Sequence, residues 1–163
     1  MKAGQDRWTL AFDNKIVSDQ LTALGCHPKK SLTLKFPTCV PEHLLKHFIR
    51  GYFDGDGYIC ISTAQKKYIA YSSGCLSTTD FCNDLKLLLI GIGIKSGIYT
   101  RSQSKNGNGI TAALTVGGRR NCKTFLDWIY TDSTVHLDRK YKKYLDVCDL
   151  VNNKITKIRI PDA

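Results

Sequence analysis

Apolar residues recur with two different periods along this chain, and the changes between those periods predict its secondary structure. Residues 8–12 alternate between apolar and polar side chains, as a half-buried strand does. Residues 16–24 then place apolar side chains at helical spacing before Gly25. The opening therefore predicts a strand, a turn and a helix, and the stretch 26–40, with its prolines and lysines, predicts an extended connector.

The next segment has a well-defined helical pattern. Pro41 suits the first position of a helix, and apolar side chains follow at spacings of three and four residues. We expect this helix to end near Asp56, because the period changes to two after Gly57. In the strand that follows, Ile59 and Ile61 face one way, and the side chains that face the other way are Tyr58, Cys60 and Ser62.

The rest of the chain continues to alternate strands with helices. The predicted elements are a strand over 68–73, a helix capped by Thr79 and ended by Gly91, strands over 97–101 and 111–116, a helix capped by Asn121, and a last amphipathic helix built on Leu137, Tyr141, Leu145 and Cys148. The basic residues expected on the solvent face of that last helix are Arg139, Lys140, Lys142 and Lys143. From Pro41 the order is α-β-β-α-β-β-α with a terminal helix, which indicates an α+β fold.

The opening segment has a counterpart later in the chain. Residues 10–21 align with residues 114–125, with apolar side chains at both ends of each stretch, and Lys15 then falls on Arg119. This register suggests that the opening is the end of a unit like the one that follows. The predicted organisation is a strand-helix tail of a preceding half-repeat plus a linker over 1–40, a complete unit over 41–150, and a charged tail over 151–163.

The composition favours a polyanionic partner. Lysine and arginine number 24 against 14 aspartates and glutamates, which gives a net charge of +10 and a pI near 9.3. No apolar run approaches the roughly 18 residues of a spanning helix, so no membrane association is expected. The amino terminus lacks the apolar centre of a secretory signal. We expect a protein that is not secreted, located in the cytoplasm or on the nucleoid, or in an organelle matrix if organelle-encoded.

The seven cysteines do not indicate a zinc site. No two of them form a CxxC pair, and their number is odd. We expect them to be reduced and buried as small apolar side chains.

The helix before Gly57 ends with DGDG, which places two carboxylates where a helix carries partial negative charge. Asp54 and Asp56 therefore need a compensating cation, and hard oxygen ligands of this kind suit Mg²⁺. Gly51 and Gly55 lie four residues apart on one helix face, where a second helix could approach closely. That second helix could bring an acid of its own.

The stretch IRGYFDGDG resembles the LAGLIDADG motif of homing endonucleases position for position. Gly51, Asp54, Asp56 and Gly57 match the letters of the motif. The predicted order of helices and strands extends the resemblance over residues 41–150. It implies an antiparallel, saddle-shaped sheet with helices packed on one face.

The resemblance also implies roles for individual residues. Asp56 would bind a catalytic Mg²⁺, for which Mn²⁺ is a possible substitute, and the backbone carbonyl of Gly55 would join the coordination. A basic residue after the fourth strand would assist the chemistry, which adds Lys15 and Arg119 as expected catalytic residues. The residues expected where two motif helices meet are Gly51, Tyr52 and Gly55.

In the resembled family the sheet grips double-stranded DNA through the major groove. Outward-facing strand residues would read bases, and basic residues near strand ends would contact phosphates. The expected DNA-binding residues are Tyr58, Ser62, Lys66, Lys67, Tyr99, Arg101, Lys105, Thr111, Thr115 and Arg120.

The single motif leaves alternatives open. A second acid would come either from a homodimer partner or from a missing or separate first half. The favoured function is a sequence-specific double-strand DNA endonuclease of the homing type. The alternative is a catalytically inactive DNA- or intron-RNA-binding module, regulatory or maturase-like. An intein fragment is a third possibility, weakened because no splicing block is recognisable.

Overall fold

A computed structural model describes residues 11, 13–28, 30, 33–64, 68–102 and 110–153. The elements are the helix α1 (Lys15–Ala23), a 3-10 turn (Glu42–Leu44) leading into α2 (Leu45–Asp56), the strands β1 (Gly57–Ala64) and β2 (Tyr68–Ser77), the helix α3 (Thr79–Gly91), the strands β3 (Gly97–Ser102) and β4 (Ile110–Gly117), and the helices α4 (Arg119–Tyr130) and α5 (Asp138–Asn152). The predicted order of helices and strands is confirmed.

The four strands form one antiparallel sheet in the order β1-β2-β4-β3. One row across the sheet comprises Tyr58, Gly74, Thr115 and Gly97, each opposite the next. Because side chains alternate along a strand, these four residues share one face of the sheet, and their neighbours along each strand share the other. β1 is an edge strand and follows α2 directly, so α2 ends at the edge of the sheet.

Helices cover the face opposite to that row. Phe53 of α2 lies edge-on to Phe125 and Tyr130 of α4, with ring centroids 5.4 and 6.3 Å apart. The strand residues beneath them are mostly apolar, and Leu114 and Val116 of β4 are 0% exposed. Burial of these side chains is the main stabilising term for the unit. The expected α+β fold with helices on one face is confirmed.

The connector before α2 is docked on this core. Phe36 lies with its ring centroid 5.4 Å from that of Phe81 and 6.3 Å from that of Phe48. Thr78 donates its hydroxyl to the carbonyl of Leu34. It also caps α3 by accepting a hydrogen bond from the backbone N–H of Phe81 at 3.1 Å, so the cap is not Thr79 as the sequence suggested.

α4 also begins earlier than predicted, at Arg119, with Gly118 as its N-cap. Asn121 does not cap it, because its side-chain amide accepts from the backbone N–H of Lys95 at 3.0 Å and donates to the carbonyl of Lys95 at 2.6 Å. Asn121 thereby ties the segment before β3 to the first turn of α4.

α1 differs from the other helices because none of its residues is buried. Ile16 is 69% exposed and Leu24 is 59% exposed. α1 begins at Lys15 and α4 begins at Arg119, the two residues that the sequence register aligns. The predicted helix is therefore present, but its assignment to a half-repeat stays a prediction. The apolar residues of the strand predicted before it lie outside the described residues.

All seven cysteines are free, and the expectation that they are buried is only half right. Three lie in the core (Cys75, Cys82 and Cys122), and three are exposed (Cys26, Cys39 and Cys60). None of the helices that the structure describes combines the length and apolarity needed to cross a membrane.

Candidate active site and nucleic-acid interface

The site is built where α2 passes into β1. The backbone N–H of Gly57 donates to the carbonyl of Phe53 and closes the last turn of the helix. A side chain at position 57 would collide with the ring and the carbonyl of Phe53, so glycine is required there. The last turn of α2 is thus fixed directly against the edge strand.

Asp54 has a structural role in the fold. Its carboxylate accepts a hydrogen bond from the Tyr130 hydroxyl at 2.6 Å and another from the backbone N–H of Leu137 at 3.0 Å. Burial, followed by the hydrogen bond to Asp54, raises the pKa of Tyr130 above its usual range. Asp54 therefore joins α2 to the end of α4 and to the residue that precedes α5.

Asp56, two residues later, is exposed. It makes no hydrogen bond or ion pair with any residue of the described ranges. A carboxylate that the fold does not use, at the negative end of a helix, is free to bind a cation. This is the position that the motif resemblance assigned to the metal ligand.

Lys140 occupies a position that the sequence did not predict. The expectation that it lies on the wet face of the last helix is wrong, since it is only 3% exposed. Its ammonium donates to the carbonyl of Phe53 and, at 2.9 Å, to that of Asp54. Burial lowers the pKa of Lys140, and the neighbouring Arg139 lowers it further. Lys140 therefore supplies part of the positive charge that the acidic end of α2 requires.

The reason for this error is the phase of α5. The stripe that faces the core includes Lys140 and Val147, and Val147 is 0% exposed. Leu145, assigned to the apolar stripe, is 45% exposed. The other basic residues expected on the wet face, Arg139, Lys142 and Lys143, are exposed as predicted.

The glycine face of α2 is open. Gly51 and Gly55 are both exposed, and an added Cβ at either position would meet nothing within 4 Å. Neither glycine is therefore required by the unit itself. Tyr52, also expected at a helix interface, is only half-buried; its hydroxyl donates to the carbonyl of Leu76 at 2.8 Å and its ring lies 4.6 Å from that of Phe81.

The outward face of the sheet lies beside Asp56 and carries mostly small or polar side chains. The hydroxyls of Tyr58 and Thr115 are hydrogen-bonded at 2.8 Å. The Tyr58 side chain crosses Gly74 to reach Thr115, and a side chain at position 74 would collide with the backbone of Leu114. Ser62 and Tyr99 are exposed on the same face. The predicted alternation of β1 is thus confirmed, with Ile59 buried at 4% exposure.

Several predicted DNA contacts cannot be located in this way. Lys66, Lys67 and Lys105, together with the side chains of Arg101 and Thr111, lie outside the described residues. Their assignment stays a prediction.

The basic residues predicted to act in catalysis are not in contact with Asp56. Arg119 is the first residue of α4 and comes two residues after Gly117, the last residue of β4. Gly117 lies opposite Ser72 of β2, and Ser72 lies opposite Cys60 of β1. This row is three residues, or about 10 Å, along the strands from Gly57. Arg119 is half-buried, Arg120 is exposed, and Lys15 pairs with Asp19 at 2.9 Å. Their catalytic and DNA-binding roles stay predictions.

The residues that the structure describes offer half of a metal site at most. Among the described residues no group of three or more histidine, cysteine, aspartate or glutamate side chains could hold a metal ion. The carboxylate of Asp56 and the carbonyl of Gly55 are nevertheless hard oxygen donors of the kind that Mg²⁺ prefers. They fit such an ion if further ligands come from outside the unit.

Comparison with known proteins identifies the family. The model of the LAGLIDADG-like domain matches residues 44–130, which is more than half of the chain and extends from the start of α2 to the end of α4. The chain belongs to the LAGLIDADG family. Its motif helix is α2, and the acids at the end of that helix are the motif acids.

Two archaeal proteins contain a region that is similar to this chain in sequence. A probable translation initiation factor IF-2 of Thermococcus kodakarensis is 30% identical over 104 residues, which is 62% of this chain and 8% of that protein. A probable translation initiation factor IF-2 of Methanocaldococcus jannaschii is 28% identical over 144 residues, which is 81% of this chain and 12% of that protein. The chain spans about a tenth of the length of these relatives.

Solved structures of homing endonucleases align with this chain. An archaeal intron-encoded homing endonuclease in complex with DNA aligns with a TM-score of 0.50 and 15% identity, covering 70% of this chain and 73% of the other. The homing endonuclease I-CvuI in complex with a DNA target aligns with a TM-score of 0.47 and 16% identity, covering 68% of this chain and 67% of the other. The first of these similarities supports the fold.

Proposed function

We propose that this chain is one half of a sequence-specific homing endonuclease that hydrolyses both strands of DNA with a divalent metal ion. The observation that carries the proposal is the state of Asp56. It is exposed, bonds to none of the residues that the structure describes, and lies at the negative end of the motif helix beside an open glycine face. Asp54 in the same helix turn is fully used by the fold. Asp54 therefore has a structural role, and Asp56 is available to bind a metal ion.

The metal would be held by the Asp56 carboxylate and the Gly55 carbonyl, with equivalent ligands from a second motif helix. Mg²⁺, or Mn²⁺ in its place, would supply an activated water and neutralise charge on the phosphate. Arg119 and Lys15 would act by placing positive charge near the phosphate rather than by touching Asp56. The offset of Arg119 from the motif end is compatible with a duplex lying across the sheet.

DNA is the proposed substrate because the charge and the surface agree. The net charge is +10. The outward sheet face presents the hydroxyls of Tyr58 and Thr115 and, on the strand at the edge opposite to β1, the exposed ring of Tyr99. Phosphate contacts would provide most of the affinity, so binding should weaken steeply with salt. The structural neighbour with the TM-score of 0.50 is a DNA complex, which supports the same substrate class.

The second acid would come from a helix packed against Gly51 and Gly55. Two sources fit: a second copy of this chain, or a preceding half in the same polypeptide. The common start of α1 and α4 in the register, and the exposed apolar side chains of α1, favour a preceding half. Solution mass with and without DNA distinguishes them, since a dimer supports the first source and a persistent monomer the second.

A DNA selection followed by cleavage assays tests the proposal. Duplexes bound from a random pool are incubated with the protein in EDTA, Mg²⁺ or Mn²⁺, and Asp56→Asn is compared with Asp84→Asn, an exposed acid on α3. We expect metal-dependent cutting by wild type and Asp84→Asn, and binding without cutting by Asp56→Asn. Unchanged cutting by Asp56→Asn would refute the proposed role of this acid.

The second candidate is a binding module without catalysis. It is favoured by the finding that the described unit contains one free motif acid and no complete metal cluster. Salt-sensitive binding of DNA or of a structured intron RNA, with no cleavage in either metal, would select it. The archaeal relatives also fit a domain embedded in a longer protein, the context in which an intein origin would be tested.

A further inference from the structure

The chain neutralises the end of its own motif helix from within. The dipole of α2, Asp54 and Asp56 all place negative charge in one turn. Lys140 reaches this turn from α5, donates to the carbonyls of Phe53 and Asp54, and lies 5.3 Å from the centroid of the Phe53 ring. At 3% exposure, its charge is shielded from water and weakly screened by salt.

A second lysine on the same helix shows that burial sets Lys140 apart. Lys143 lies one turn later and also donates to a carbonyl, that of Ile59, at 3.3 Å. Its side chain is exposed, however, so water and salt screen its charge. The two residues form a matched pair with the same chemistry and different surroundings.

A buried cation beside a metal site opposes metal binding. Lys140 and Asp56 interact electrostatically, so the ammonium would repel a divalent ion held by Asp56. For charges near a protein surface the effect on affinity is about tenfold or more. At the same time the hydrogen bonds of Lys140 fix the carbonyl groups of Phe53 and Asp54. They thereby help to position Gly55 and Asp56, which follow in the chain. Lys140 therefore acts on geometry and on charge.

We propose that Lys140 is a positioning residue of the metal site, which fixes the last turn of α2 and keeps a single motif end a weak binder of divalent cations. A second motif end would add its own negative charge and overcome this repulsion, so that tight metal binding accompanies assembly of both halves. The inference rests on the proposed function, because it takes Asp56 to be the metal ligand.

The test measures Mn²⁺ binding to the protein without DNA, by loss of the electron paramagnetic resonance signal of the free ion. Lys140→Gln keeps amide donors for the carbonyls but removes the charge, Lys143→Gln is the matched control, and Lys140→Gln combined with Asp56→Asn assigns the site. We expect Lys140→Gln to bind Mn²⁺ about tenfold more tightly than wild type. Lys143→Gln should bind as wild type does, and the double variant should lose the gain.

Equal Mn²⁺ affinity of Lys140→Gln and wild type would overturn the inference, as would a gain that persists without Asp56. If Lys140→Gln folds only when Mn²⁺ is added, the rescue supports the inference. If it folds under neither condition, Lys140→Arg decides: with the charge kept, its affinity should stay within about twofold of wild type, and a tenfold change would contradict the proposal.

This experiment is separable from the test of cleavage. A gain in Asp56-dependent Mn²⁺ binding without any DNA cutting would support the role of Lys140 and reject the nuclease. Metal-dependent cutting with unchanged Mn²⁺ affinity in Lys140→Gln would do the reverse.

Discussion

Asp54 and Asp56 lie in the same turn of one helix, yet the fold treats them differently. Asp54 accepts hydrogen bonds from Tyr130 and from the backbone of Leu137. Asp56 is exposed and bonds to no described residue. The two acids of the motif therefore lie in different environments and are not equivalent. Asp54 holds three helices together, and Asp56 is the acid that the proposed function assigns to the metal.

The buried lysine explains how a helix can end in this way. Two carboxylates at a negative helix end would be mutually repulsive without a cation. Lys140 provides that cation on the inner side of the turn, next to Asp54. Asp56, on the outer side, can then stay unpaired in the absence of metal.

The largest effect on stability is expected for Asp54→Ala. It removes the acceptor of two hydrogen bonds and leaves the Tyr130 hydroxyl and the Leu137 N–H without partners, which should lower the free energy of unfolding by about 3 kcal/mol. Chemical denaturation measures it. Asp84→Ala, at an exposed position on α3, is the control and should change stability by less than about 0.5 kcal/mol. A loss of stability as small as that of Asp84→Ala would contradict the structural role of Asp54.

Tyr130→Phe should have a smaller effect. It removes one of the two hydrogen bonds of Asp54 and keeps the ring contacts, including the stacking on Tyr144 at 5.3 Å. We expect a loss of about 1–2 kcal/mol in the same denaturation experiment. Additive losses in the double variant with Asp54→Ala would contradict a shared interaction, because coupled residues are not additive.

Alkaline pH should weaken the contribution of the same hydrogen bond to stability. The pKa of Tyr130 is raised in the fold above its ordinary value, so its contribution is complete below about pH 10 and is lost as pH rises above that value. The loss should not exceed about 1.4 kcal/mol for each pH unit. Tyr130→Phe should make this dependence shallower, and the remainder comes from Tyr52, Tyr71 and Tyr144, whose pKa values are also raised. Tyr99→Phe, at an exposed tyrosine, should leave the dependence unchanged. A Tyr99→Phe profile as flat as that of Tyr130→Phe would remove Tyr130 as the cause.

A small gain in stability is expected for Gly51→Ala. Alanine fits the isolated unit, since an added Cβ meets nothing within 4 Å, and should stabilise the helix by roughly 0.5–1 kcal/mol. It would also occupy the face beside Asp56 and weaken association with a second motif helix. Unfolding and solution mass in the presence of DNA check the two parts. A more stable variant that assembles normally would show that this face is not the contact.

The order of elements and the place of Asp56 were predictable from the sequence because they depend on local patterns. The change of period at Gly57 fixes both the end of α2 and the outward face of β1. The burial of Lys140 was not predictable, since the carbonyls of Phe53 and Asp54 that it caps are distant in sequence. In a helix with mixed polarity the phase of the buried stripe is set by such partners. Asn121 was misread for the same reason, because Lys95 outcompetes the helix start for its side chain.

The most direct test of this account compares Asp54→Asn and Asp56→Asn in two measurements on each protein, the free energy of unfolding and metal-dependent cleavage of a selected DNA site. We predict that Asp54→Asn loses stability. Asp56→Asn should keep wild-type stability and DNA binding while its cleavage falls on the order of a hundredfold or more. Cleavage by Asp56→Asn at the wild-type rate, or a loss of stability equal to that of Asp54→Asn, would contradict the division of roles between the two acids.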